Sequence, residues 1–80
     1  MKTDLNDFKT GWFGIQIGLK AHEIGDLIDA LEGLKKYRTH FHLRSEFKGE
    51  GGVGDIEIYI QPDDQPSNME IEASVEPQEL

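Results

Sequence analysis

The chain has no cysteine among its 80 residues. No disulfide can staple the fold, and no thiolate can ligate a metal. Long apolar runs are missing as well. Nothing approaches the roughly 20 apolar residues that span a bilayer. Met1 to Thr10 carries no apolar run of the signal-peptide kind. Cysteine would have argued for secretion. The lack of cysteine leaves the compartment undecided; without a signal-peptide-like or membrane-spanning run, a soluble cytoplasmic protein with no membrane role is the default expectation.

Basic residues are scarce. Eight Lys and Arg face sixteen Asp and Glu, and the net charge is −8. An acidic surface repels phosphate backbones, so nucleic acid is disfavoured as a partner. No Ser–His–Asp set, nucleotide fingerprint or basic stripe is present. No cofactor is expected, and an enzyme is not the favoured reading.

The acidity is unevenly placed. Residues 1–61 hold ten acidic and eight basic side chains, whereas residues 62–80 hold six acids and no Lys or Arg. Such a charge would favour encounter with a basic protein. It would equally serve to keep a small domain soluble. Eighty residues make one domain, which buries only about 60% of its unfolded surface.

Periodicity organises the chain. Residues 1–10 are polar apart from Leu5 and Phe8 and read as a flexible arm, with Phe8 able to dock. From Trp12 to Lys20 the alternation is clean, with Phe13, Ile15, Ile17 and Leu19 on one face. Ile24, Leu27, Ile28, Leu31 and Leu34 then follow helical spacing as one apolar stripe. Glu23 and Asp26 near its start and Lys35 and Lys36 near its end suit the helix dipole. Its start offers no Ser, Thr, Asp or Asn cap. Gly25 and Gly33 each cost about 1 kcal/mol, so the helix needs a sheet to hold it.

Tyr37 to Ile60 reads as a hairpin. One strand covers about Thr39 to Phe47 and places Phe41, Leu43 and Phe47 on the core face, with Ser45. The other covers Asp55 to Gln61, with Ile56, Ile58 and Ile60 inward. The wet face carries His40, His42, Arg44 and Glu46 on one arm and Asp55, Glu57 and Tyr59 on the other. Residues 62–68 form a turn punctuated by Pro62 and Pro66. Residues 69–76 alternate as a short, charged edge strand.

The expected fold is α+β in two layers: one helix packed on one face of a four-stranded, mostly antiparallel sheet, in the order β-α-β-β-β. Its boundaries are a flexible arm at 1–10, one domain at 11–76 and a tail at 77–80. A right-handed crossover is expected. The strand at 12–20 is expected beside the strand at 55–61, with the more charged strand at 39–47 on an edge.

Three features could carry function. His40 and His42 lie two apart on a strand, so their imidazoles project to one side, and Glu57 or Asp55 could add a carboxylate to a metal. His22, the third histidine, lies near the helix start on the other side of the sheet. Cross-strand contacts with Glu57 and Tyr59 are the favoured reading of the pair. An acid–base pair of His42 with Glu57 is a further alternative, without a cleft to serve it. Gly49 to Gly54 resembles a phosphate loop only superficially. It joins two strands rather than a strand and a helix, and Glu50 would repel phosphate. Gly14 and Gly18 flank Gln16 on the open face beside Trp12. A strand glycine often marks close approach by another group, here a partner or the N-terminal arm.

The runs Glu23-Ile24-Gly25-Asp26-Leu27-Ile28-Asp29-Ala30-Leu31, His40-Phe41-His42-Leu43 and Gly52-Val53-Gly54-Asp55-Ile56-Glu57-Ile58-Tyr59-Ile60 resemble small uncharacterised bacterial proteins. Some of these look like immunity proteins of polymorphic toxin systems. The resemblance covers roughly residues 12–72. It implies a protein that binds and blocks a toxin without catalysis of its own, and it brings no site motif.

The favoured function is therefore protein binding through an open sheet face of Trp12, Gly14, Gln16, Gly18, His40, His42, Arg44, Glu57 and Tyr59. The partner is a protein, basic by charge, or a second copy of the chain. A metal-binding or hydrolytic role centred on His40 and His42 is the alternative, and a homodimeric structural protein is the third reading.

Overall fold

Strand β1 (Lys2–Asp7) opens the chain in a computed structural model that describes residues 1–72. Strand β2 (Phe13–Gly18), helix α1 (Ala21–Tyr37), strand β3 (His40–Arg44) and strand β4 (Asp55–Tyr59) follow. The class is α+β, as the periodicity predicts. The sheet is not one but two: β1 pairs with β2, and β3 with β4, both antiparallel. The expected adjacency of the strands at 12–20 and 55–61 does not occur. Because β2 and β3 share no sheet, the crossover rule does not apply to them. Residues 69–72 form no strand. The rest of the predicted edge strand and tail lies outside the described residues.

The N-terminal strand replaces the arm expected at residues 1–10. Asp and Asn are poor strand formers, so its sequence does not advertise it. The turn that creates it is local. Phe8 N–H donates to the Trp12 carbonyl at 3.1 Å, and Lys9 N–H donates to Asp7 Oδ1 at 2.9 Å. Lys9 and Gly11 take positive φ, 60° and 92°. This returns the chain antiparallel to itself and matches Leu5 with Ile15 and Asn6 with Gly14.

Helix α1 lacks a capping side chain at Lys20, as expected, and finds another solution. The Lys20 N–H donates to Glu23 Oε1 at 3.0 Å, a first-turn carboxylate reaching back to the helix start. The Met1 ammonium lies 2.7 Å from Glu23 Oε2. These contacts, the ammonium first and the Lys20 N–H second, hold the Glu23 carboxyl below its ordinary pKa. At the other end Arg38 adopts the left-handed conformation, φ 52°, and its N–H donates to the Leu34 carbonyl at 2.8 Å. That αL stop turns the chain into β3 within two residues.

The core is the contact of α1 with the second hairpin. Leu34 is buried, with 8% of its surface exposed, and is the sole buried residue among those described. Leu27 and Ala30 on the same side of the helix are half-buried, as are Phe41, Leu43, Ile56, Ile58 and Ile60. The remainder of the predicted stripe is not covered. Ile24, Ile28 and Leu31 remain 48%, 50% and 44% exposed. A helical stripe this wide needs more than a two-stranded sheet to cover it.

Candidate functional site

Register builds the polar face of the second hairpin. His40 lies opposite Tyr59, His42 opposite Glu57, and Arg44 opposite Asp55. Side chains at alternate positions share a face, so these six project away from α1, while Phe41, Leu43, Ile56 and Ile58 turn toward it. Glu46, expected on this face, lies beyond the end of β3.

The histidines are held rather than loose. His42 Nδ1 sits 3.0 Å from Asp55 Oδ1 and 3.1 Å from Oδ2. Arg44 Nε donates to Asp55 Oδ1 at 3.2 Å. Asp55 thus joins two side chains of the neighbouring strand, one directly opposite and one on the diagonal. His40 Nδ1 is 3.5 Å from Thr39 Oγ1. The two imidazoles meet edge to face, with centroids 5.2 Å apart and planes at 89°. The ligating atoms of His40, His42 and Glu57 all lie within 4.8 Å of one another. His42 is half-buried, while His40 and Glu57 are exposed.

A ten-residue connection joins β3 to β4, and an aromatic ring anchors it. Ser45 N–H donates to the Gly54 carbonyl at 2.9 Å, and Phe47 N–H donates to Ser45 Oγ at 2.9 Å. Phe47, predicted as the last core residue of its strand, instead has φ 55° and is largely exposed. Its ring covers Gly54, where a Cβ would stand 2.7 Å from Phe47 Cε1. Gly49, Gly51 and Gly52 all have positive φ, which suits the flexible-connection reading of the glycine run. An open groove beside His42 is lined by Thr3, Glu23, Leu43, Ser45, Val53 and Ile56, among others.

The nine residues predicted as one binding face fall on two hairpins. Trp12, Gly14, Gln16 and Gly18 belong to the first hairpin. His40, His42, Arg44, Glu57 and Tyr59 belong to the second. The glycine strip of β2 is also partly occupied. A Cβ at Gly14 would stand 2.7 Å from Phe8 Cζ, and one at Gly18 would stand 3.8 Å from the Lys2 carbonyl oxygen. At Gly14 the close approach is made by the chain's own Phe8, whereas Gly18 has only an ordinary van der Waals contact. Sequence reasoning missed Thr39 and the diagonal pairing of Asp55 with His42. The alternation placed Asp55 on the right face, but only the register sets it within reach of both His42 and Arg44.

No family model matches the chain, and no curated protein or solved structure matches it either. No helix among the described residues is long and apolar enough to cross a membrane.

Proposed function

We propose that this is a small non-catalytic protein-binding module, completed by a partner of different sequence. The observation that carries the reading is unfinished burial. The chain exposes 7893 Å², against the about 4,900 Å² that its mass of 9.1 kDa predicts for a compact monomer. Its radius of gyration is 15.0 Å, where about 12 Å is expected for this length. Part of the excess belongs to the run after Ile60, which forms no helix or strand as far as Glu72. Another part is apolar. Ile24, Ile28 and Leu31 line one side of α1, and Leu5, Phe13, Ile15 and Ile17 line one face of the first hairpin, all exposed. Apolar side chains left exposed together on one element face are the kind of surface that interaction sites use.

Charge selects the partner. Two copies of a chain with net charge −8 repel each other, whereas a basic protein is attracted. An apolar centre on an acidic protein calls for a partner with apolar anchors inside a Lys/Arg rim. The resemblance of roughly residues 12–72 to small uncharacterised bacterial proteins, some of which look like immunity proteins, suggests the most specific form of this reading, an inhibitor that occupies a basic toxin.

The test has two arms. Sedimentation at high micromolar concentration is expected to show a monomer. Affinity capture from the native host is expected to retain one basic protein, and Ile28→Glu is expected to lose it while the helical circular dichroism persists. A tight homodimer would transfer the apolar surface to a second copy and overturn the reading. Capture that Ile28→Glu leaves untouched would overturn it too.

A further inference from the structure

The geometry points to a divalent metal site on the polar face of the second hairpin, with His40, His42 and Glu57 as ligands and zinc as the ion of choice. Zinc bonds of about 2.1 Å to imidazole nitrogen and carboxylate oxygen place tetrahedral ligand atoms about 3.4 Å apart. The three ligating atoms already lie within 4.8 Å of one another. Closing the gap takes side-chain rotation of about an ångström, with no change in strand register. Two neutral imidazoles and one carboxylate form a ligand set with borderline-metal preference. All three project from one face of a two-stranded ribbon, so the remaining coordination positions stay open to water.

What separates this set from two histidines near a glutamate is the support behind the rings. A metal-bound histidine generally gives its other ring N–H to a carboxylate or another acceptor, which fixes tautomer and orientation. His42 Nδ1 has both oxygens of Asp55, at 3.0 and 3.1 Å. With a carboxylate as its acceptor, that nitrogen carries the proton and Nε2 is left as the free donor atom. Asp55 is itself held by Arg44 Nε at 3.2 Å, which keeps its charge from competing for the ion. His40 Nδ1 has Thr39 Oγ1 at 3.5 Å, a hydroxyl that can donate or accept. Asp55 is therefore a positioning residue, whereas His40, His42 and Glu57 touch the ion. The site is independent of the apolar surface proposed to bind a protein, since it lies on the side of the hairpin away from α1.

The probe is zinc sulfate added to the full chain, followed by NMR of the imidazole nitrogens and by calorimetry. One zinc per chain is expected. His40 and His42 resonances should move together, with Nε2 rather than Nδ1 of His42 taking the coordination shift, while His22 stays in place. His42→Ala should abolish binding with the fold retained by circular dichroism. Asp55→Asn should weaken binding roughly 10- to 100-fold, and Glu57→Gln should weaken it without moving Nδ1. Imidazole signals unmoved at millimolar zinc would overturn the proposal. So would a His22 shift as large as the other two, or Asp55→Asn binding as tightly as the parent chain.

Discussion

The two hairpins are built alike and end differently. Each pairs two antiparallel strands, and each lays a phenylalanine ring over a strand-end glycine: Phe8 over Gly14 and Phe47 over Gly54. In the second hairpin the apolar face is half-buried beneath α1. In the first, Ile15 and Ile17 remain 54% and 47% exposed. The difference teaches that alternation recruits a strand but does not provide its cover. A lone two-stranded hairpin is at best marginal in water. The first hairpin therefore relies on its turn, its ring–glycine contact and whatever binds it, while the second shares a core.

Core truncation should break this comparison most sharply. Leu34→Ala is expected to cost about 2–4 kcal/mol, a large part of the about 4–12 kcal/mol that an 80-residue domain has in total. Leu31→Ala, at a 44% exposed position of the same helix, should cost under about 1 kcal/mol in the free chain. Urea midpoints followed by helical circular dichroism give both values. Equal losses would mean that Leu31 is as covered as Leu34.

The glycines sharpen the contrast. A methyl group at Gly54 meets Phe47 Cε1 at 2.7 Å, and one at Gly14 meets Phe8 Cζ at the same distance. Because Phe47 is 73% exposed and its ring can swing aside, Gly54→Ala is expected to cost under about 1 kcal/mol and to show as displacement of the Phe47 ring. Gly14→Ala should loosen only its own hairpin and leave the midpoint of α1 unfolding in place. Hydrogen exchange reads the same distinction: β1–β2 amides should exchange much faster than β3–β4 amides. If both hairpins exchange as one unit, the picture of a single shared core on one side fails.

Smaller effects belong to the ends of α1. Arg38 takes a left-handed conformation that costs a non-glycine residue about 1 kcal/mol. Arg38→Gly should therefore stabilise the helix–second-hairpin unit by up to that amount, seen as a higher urea midpoint. An unchanged or lower midpoint would show that the arginine side chain contributes more than its backbone costs. At the opposite end, Glu23 has its carboxyl pKa lowered in the fold, first by the Met1 ammonium and then by the Lys20 N–H. A lowered folded value stabilises the protein above the ordinary glutamate pKa, and the gain disappears as pH falls through the lowered one. Comparison of the parent chain with Glu23→Gln should show a gap at neutral pH that closes in acid. Because the pair is open to solvent, salt should shrink the gap as well. A gap independent of pH would assign the effect to packing of the side chain.

Much of the architecture was legible along the chain. Helical spacing from Ile24 to Leu34 located α1, alternation around Phe41 and Ile58 located the second hairpin, and two prolines located the turn after Gln61. That turn closes as Gln65 N–H donates to the Pro62 carbonyl at 3.1 Å. Of the candidate site, His40, His42, Glu57 and Asp55 were recognisable as one polar face. The N-terminal strand was not legible, because Lys2 to Asp7 has one large apolar residue and its pairing depends on the turn around Lys9 and Gly11. Phe47 also escaped. Its alternation fits a strand, but it takes a left-handed backbone, with its N–H on Ser45 Oγ and its ring over Gly54.

The chain by itself thus determined the periods, and with them α1, strands β2, β3 and β4, and which of their side chains share a face, but not β1. Those are local properties, set by the 3.6- and 2-residue repeats. Tertiary structure alone decided which strand edges meet, that Asp55 reaches both His42 and Arg44, and that three of the five stripe residues stay about half exposed. Pairing and coverage depend on the relative placement of distant segments, about which a repeat within one segment says nothing.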